Sequence, residues 1–181
     1  MNTTPEPADP TGTDDAAHAE GVERVLRAGL EDFELTPEDR AIIDGFQPEA
    51  DEVVVALGAG GICGSDLHYY NHGGFGTVRL QEPMVLGHES SGIVCEVGPG
   101  VTTHAVGDRV ALEPGVPCLS CSLCLGGRYN LCRSMVFAAT PPYDGTLATY
   151  YNLHAAFAHP IPDAMSLEAA SLMEPLSVAV H

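Results

Sequence analysis

From Glu52 onward the chain alternates between short apolar runs and clusters of glycine and proline. Glu52 to Leu57 (EVVVAL) is apolar and β-branched, which predicts a strand. Gly92 to Val97 (GIVCEV) alternates and runs into a Gly98-Pro99-Gly100 turn. Arg109 to Leu112 predicts a short strand that ends before Pro114, and Thr146 to Tyr151 and Ala156 to His159 predict two more. Ser166 can cap a helix through Leu167 to Met173, with Pro175 interrupting it. Many short strands joined by Gly/Pro turns predict a mainly β domain with a few helices, closed into a small barrel.

Upstream the pattern fades. Residues 1 to 20 are rich in Pro, Asp and Thr without an apolar period, which predicts a disordered acidic tail. Residues 21 to 181 then form the folded domain. Between 21 and 50, Val22, Val25, Leu26 and Leu30 fit one face of a helix.

Composition sets bounds on the reading. A chain of 181 residues has room for one core. Twenty glycines and 14 prolines with 6% aromatic residues favour a turn-rich β architecture over a helical bundle. The longest charge-free stretch, Gly145 to Pro162, contains two His, one Asn and two Pro, so no membrane span is expected. Net charge is −18, concentrated in the first 52 residues, and lysine is absent. Phosphate contacts need clustered Lys or Arg, so a nucleic-acid partner is not expected. No positively charged, apolar leader opens the chain, which predicts a cytoplasmic location.

The strongest chemical signal is C-x2-C-x2-C-x7-C at Cys118, Cys121, Cys124 and Cys132. Four thiolates at this spacing can close one tetrahedral Zn²⁺ shell, which makes the site structural. The competing explanation, disulfides or idle thiols, fits the two-residue gaps poorly. A second set has a different character: Cys63 in GICGSDLH, His88 and Glu89 in VLGHE, and Glu174 in LMEPL. Thiolate, imidazole and carboxylate together leave a zinc position open, and open zinc sites do chemistry. Singly, Cys63 reads as small core filler and His88 as a satisfied core histidine. Cys95 alternates into a strand and reads as a buried side chain.

Taken together these segments resemble the zinc-dependent medium-chain alcohol dehydrogenases, and within them the sorbitol/xylitol polyol branch. The resemblance rests on Gly61 to Tyr70 (GICGSDLHYY), Pro83 to Glu89 (PMVLGHE), Val106 to Pro114 (VGDRVALEP), and the cysteine cluster. Gly127 to Cys132 (GRYNLC), Phe137 to Gly145 (FAATPPYDG) and Glu174 to His181 (EPLSVAVH) extend it. His68 to Leu80 (HYYNHGGFGTVRL) looks more like the L-idonate 5-dehydrogenases. The resemblance implies a GroES-like, partly open β-barrel, and a β-hairpin rather than a helix within residues 21 to 50. It implies two zinc ions, one catalytic and one structural, and oxidation of a polyol or sugar acid to a ketone with hydride transfer to NAD(P). It makes Ser65 the acceptor of the hydroxyl proton and His68 its carrier to solvent, although Ser65 can also serve as a turn cap. It sets Asp66 against His88, and Tyr69 and Phe137 along the substrate pocket or merely in packing. Either Glu89 or Glu174 is the inner-sphere carboxylate.

The family's nucleotide-binding domain needs a G-x-G-x-x-G turn between strand and helix. Gly58-Ala59-Gly60 meets Cys63 at the third position, and Gly98-Pro99-Gly100 meets Thr103. The expectation is a catalytic-domain portion without its Rossmann domain, inactive alone, with no cofactor-binding residues of its own. Missing strands would expose sheet edges and favour association with further copies of the chain. The alternative from another class is a truncated zinc-binding module without catalysis.

Overall fold

The computed structural model describes residues 36–46 and 48–181. The expected acidic tail and the Val22 to Leu30 helical face lie outside the described residues. Five strands form the main sheet: β1 (Glu52–Gly61), β4 (Glu89–Val97), β5 (Arg109–Leu112), β8 (Tyr150–His154) and β9 (Ala158–Pro160). Their order is β8-β1-β4-β5-β9, with every neighbouring pair antiparallel. Two small ribbons accompany it, β2 (Gly74–Phe75) with β3 (Val78–Arg79), and β6 (Gly115–Val116) with β7 (Val136–Phe137). The helices are α1 (Pro37–Phe46), α2 (Gly64–His72), α3 (Ser122–Leu125), α4 (Leu167–Ser171) and α5 (Met173–Val180).

The sheet is open among the described residues, with β8 and β9 as its edges, rather than the closed barrel that the strand count suggests. Closure depends on which strands pair at the ends, and periodicity carries no information about that. β1 explains its own composition. Alternate residues of a strand face opposite ways. Val53, Val55 and Leu57 join Val94, Val110, Leu112, Leu153 and Phe157 in one buried cluster. Val54 and Ala56 join Ile43, Cys95 and Tyr150 in a second. A strand buried on both faces reads as continuous rather than alternating apolar sequence.

Ile43 comes from α1, so the expected hairpin within 21–50 is corrected over Pro37–Phe46, which is helical. Thr36 and Asp39 start this helix. The Asp39 carboxylate accepts from the Thr36 backbone N–H at 2.8 Å, and the Asp39 N–H donates to the Thr36 hydroxyl at 3.2 Å. Tyr150 Oη then donates to Asp39 Oδ1 at 2.7 Å and ties the helix to β8. Cys95 is core, as expected. Its thiol donates to the Val54 carbonyl at 3.3 Å, and burial pushes its pKa up to about 12.

Two boundary expectations shift. The predicted strand at 156–159 begins with a 3-10 turn over Ala155–Phe157 before β9, and the predicted strand at 146–151 starts only at Tyr150. At the far end, Ser166 Oγ caps α4 by accepting from the Ala169 N–H at 3.2 Å. Pro175 does not break the helix. It lies in the first turn of α5, where its missing N–H has no intrahelical partner to lose, and the break falls earlier at Leu172. α4 packs across β1, β4 and β5. Ser91 Oγ donates to the Leu167 carbonyl at 2.6 Å. The Arg109 guanidinium donates to the carbonyls of Pro162, Asp163 and Met165 at 3.3, 3.0 and 2.6 Å, gathering the approach to α4 onto β5.

The β5–β9 edge is joined by an exposed pair, His159 Nε2 to Glu113 Oε2 at 2.9 Å. This bond raises the His159 pKa above its ordinary 6.5, against the opposing effect of partial burial. A raised histidine pKa adds stability that is complete below the unfolded value and lost as pH rises through the folded one. His159→Gln is therefore expected to lower Tm by about 1–2 °C near about pH 5.5 and by nothing near about pH 9, because an exposed pair is worth no more than about 0.5 kcal/mol. Thermal melts of both chains at the two pH values check this.

Candidate metal centres

The first centre forms where β1 ends. The chain leaves Gly61, turns at Ile62 and enters α2 with Cys63 at the capping position (φ −79°, ψ 157°). Cysteine is a less common cap than Ser, Thr, Asp or Asn, and here Asp66 completes the helix start reciprocally by accepting from the Cys63 backbone N–H. Gly61 pairs directly with Glu89, the first residue of β4. His88 immediately precedes it. Strand pairing thus brings two distant sequence motifs to one point. Donor atoms of Cys63, His88 and Glu89 all lie within 4.8 Å of one another. His88 and Glu89 are buried and Cys63 is partly exposed.

Asp66 organises this corner. It is 2% exposed, and each carboxylate oxygen accepts one backbone N–H: Oδ2 from Cys63 and Oδ1 from Gly87, both at 2.9 Å. The two donors sit beside two of the converging ligands. Gly87 adopts φ +91°, a conformation that favours glycine, and this turns its N–H inward. His88 Nδ1 faces Asp66 Oδ1 at 3.7 Å, too long for a hydrogen bond, and has no other partner among the described residues. With Nδ1 directed at a carboxylate, Nε2 is the nitrogen left to ligate, the arrangement common in zinc sites. Soft sulfur, imidazole nitrogen and carboxylate oxygen together fit zinc.

Glu89 and Glu174 separate here. Glu89 belongs to the converging set and Glu174 does not. Glu174, in the first turn of α5, is still close enough to feel both neighbours. Burial raises its pKa, the His88 charge lowers it and the Glu89 charge raises it further. Glu174 and Phe137 line a cavity of about 790 Å³ between α5, β9 and the β6–β7 ribbon. The Phe137 ring lies 5.7 Å from that of His88, so this cavity adjoins the metal corner rather than enclosing it. Tyr69 is buried and packs. Ser65 is half-buried and His68 exposed, both on α2, and no hydrogen bond joins them.

The second centre is the cysteine lobe, carried between β6 and β7. Cys118, Cys121, Cys124 and Cys132 converge within 4.8 Å. Their sulfurs approach at 3.4 Å (Cys121 and Cys124), 3.5 Å (Cys132 and Cys118) and 3.9 Å (Cys118 and Cys124). Four sulfurs at about 2.3 Å from one zinc stand about 3.8 Å apart, so these spacings fit the ion and exceed a disulfide bond of about 2.05 Å. The loop bends sharply to achieve this, with Leu119 at φ 54° and Gly127 at φ 73°. Hydrogen bonds from Ser120, backbone first, hold the Cys118 thiol down to about 6, and the Cys124 backbone lowers Cys121. Desolvation and the neighbouring thiols push Cys124 up to about 12.

Sequence reasoning missed two supports. Gly61 leaves the space occupied by the Glu89 carboxylate, since a Cβ there would lie 2.1 Å from Glu89 Oε2. A strap over residues 144–147 clamps the approach to His88. Val85 N–H donates to Asp144 Oδ1 at 2.8 Å, and the Gly145, Thr146 and Leu147 N–H groups donate to the carbonyls of Val85, Gly87 and Leu86, each at 2.8 Å. The only sequence signal for either was an unexplained glycine.

Comparison with known proteins adds the following. Residues 49–163 match the family described as the alcohol dehydrogenase GroES-like domain. The chain is 60% identical over 133 residues to a probable D-xylulose reductase A from Arthroderma otae, covering 74% of this chain and 37% of that protein. Among solved structures it resembles an Escherichia coli oxidoreductase/dehydrogenase of unknown specificity (TM-score 0.70, 41% identity, 74% of this chain and 39% of that one). It also resembles Escherichia coli L-idonate 5-dehydrogenase (TM-score 0.68, 34% identity, 73% and 39%). The chain thus spans about two-fifths of the length of the curated relatives it matches.

Gly61→Ala should push the Glu89 carboxylate aside and weaken zinc at the first centre by about 10–100-fold while leaving the fold intact. Glu174→Gln should weaken it much less. Competition titrations with a zinc chelator compare the two, and the opposite ranking would make Glu174 the ligand. Cys118→Ser should lose one zinc and lower Tm on the order of 10 °C. His88→Ala should lose the other zinc with little change in Tm. Metal analysis and melting of both variants separate these roles.

Proposed function

The chain belongs to the alcohol dehydrogenase family, whose GroES-like domain it carries over residues 49–163, and on that premise we propose that it forms the zinc-holding, substrate-handling part of a polyol or sugar-acid dehydrogenase. Convergence of Cys63, His88 and Glu89, apart from the four-thiol lobe, is the observation that carries this reading. The reaction is oxidation of a secondary alcohol to a ketone, or its reverse, with hydride exchanged with NAD(P). Solved relatives hold NADH or NADP. No residue of this chain is assigned to the nucleotide.

Cys63, His88 and Glu89 would hold the catalytic zinc, with Glu174 reaching it through water. That ion, when bound, supplies Lewis-acid stabilisation of negative charge on the substrate oxygen. The chain's own residues do the rest. Asp66 fixes the Cys63 and Gly87 backbones and orients His88. Ser65 Oγ takes the hydroxyl proton, and His68, three residues along the same helical face, carries a proton on toward solvent, with water bridging the two side chains. His68 is exposed and hands the proton to water. Phe137 gives the cavity beside His88 an apolar wall, which keeps water from the reacting carbon.

The substrate class rests on the D-xylulose reductase and L-idonate 5-dehydrogenase relatives, and a ketose reduction is the polyol oxidation run backward. The second centre holds a structural zinc whose thiolate ligands suit a reducing compartment, which supports a cytoplasmic setting. No helix among the described residues is long and apolar enough to cross a membrane.

The first test is zinc stoichiometry of the purified chain beside NAD-dependent assays on sorbitol, xylitol and L-idonate. Two zincs per chain are expected. Activity restored only when a nucleotide-binding domain is supplied would support the division of labour proposed here. Two zincs with oxidation by the chain alone would overturn it. A single zinc, lost in Cys118→Ser and unchanged in His88→Ala, would favour a non-catalytic zinc module.

A further inference from the structure

We propose that His68 and His72 form a third, exchangeable metal site for a borderline divalent transition ion, on the exposed face of α2. The two histidines are four residues apart on one helix, so their side chains stack on the same face about one turn apart. Their ring centroids lie 5.8 Å apart with the planes inclined at 44°. Two imidazoles bound at about 2.0–2.1 Å to one ion have centroids roughly 5 Å apart, so a small rotamer adjustment completes the bite. Both side chains are exposed. Neither makes a hydrogen bond or ion pair among the described residues, so ligation would cost no existing polar contact. Phe75 packs 5.3 Å from the His68 ring and narrows its motion.

The backbone favours a cation here. His72 is in the last turn of α2, which ends at Gly73 in the left-handed conformation, so the negative end of the helix faces the site. The chain as a whole carries −18. Imidazole ligands select Ni²⁺, Cu²⁺, Zn²⁺ and Co²⁺ over Mg²⁺ or Ca²⁺. With two protein ligands and water in the remaining positions, the site would be weaker than either cysteine-containing centre and would exchange freely.

The functional consequence rests on the reading of His68 as outward proton carrier. An ion held between His68 and His72 occupies the nitrogen lone pair that the relay needs, so excess metal would slow turnover without displacing the catalytic ion. Metal binding itself does not depend on that reading.

The test is a calorimetric titration of Ni²⁺ into the zinc-loaded chain, run in parallel with His72→Asn and His68→Asn. One Ni²⁺ equivalent is expected in the parent chain, with affinity falling about tenfold or more in each variant, equivalent to about 1.4 kcal/mol per tenfold. Co²⁺ should bind more weakly than Ni²⁺, and Mg²⁺ should give no comparable site. Equal Ni²⁺ heats in all three chains, whether from surface carboxylates or from exchange at the thiolate centres, would overturn the proposal. So would loss in His68→Asn with full binding in His72→Asn. If the site binds but metal leaves unchanged the dehydrogenase rate measured with a nucleotide-binding domain supplied, the site stands and the relay assignment falls.

Discussion

A single buried carboxylate holds the metal corner together. Asp66 accepts from the backbone of Cys63 on one side and Gly87 on the other, so two loops with no sequence proximity are fixed to one side chain. Buried charge is tolerable only when its hydrogen-bonding capacity is used. Here the two backbone donors use it, and His88 stands behind with Nδ1 turned toward the same oxygen. Everything the first centre can do depends on this arrangement. The thiolate, the imidazole and the strand that presents Glu89 inherit their positions from it.

The two candidate metal centres sit in different mechanical settings. The four-cysteine lobe has little apolar packing to order it, since its helical pieces span only Ser122–Leu125 and Tyr129–Leu131 and bury none of their side chains. An ion held by the four thiols would supply what a core does not. The Cys63 corner has the reverse character, with its donors delivered by the end of a well-packed sheet. The β6–β7 ribbon links them, because it opens and closes the cysteine lobe and also places Phe137 against His88.

Much of this was legible in the sequence because it is local. The thiol spacing, the β-branched run of β1, the Ser166 cap and the Arg109–Leu112 strand depend on near neighbours. What could not be read depends on pairing at a distance. Nothing in residues 37–46 alone says that Ile43 will seat against β1 or that Asp39 will receive Tyr150 Oη, so the segment could not be separated from a hairpin. Strand pattern alone suggested a closed barrel, because edges are set by partners and not by pattern, whereas the family resemblance gave the partly open form. Pro175 was read as a breaker because its place within a helical turn was unknown. Cys63, His88, Glu89 and Glu174 could be named as candidates from chemistry, whereas the nearness of Glu89 to the Cys63 and His88 donors follows from the β1–β4 register.

That register binds positions 61 and 89 into one unit of variation. Gly61 and Glu89 occupy a single rung of the ladder, and the absent side chain of one is the space filled by the other. Position 61 cannot gain a side chain without a change at 89. A bulkier residue at 61 is compatible only with a shorter acid or a different donor at 89, so added bulk on one side of the rung calls for a matching change on the other. A search that enlarges position 61 alone would therefore mostly lose metal, and one that samples 61 and 89 together would reach arrangements that single changes at 61 miss.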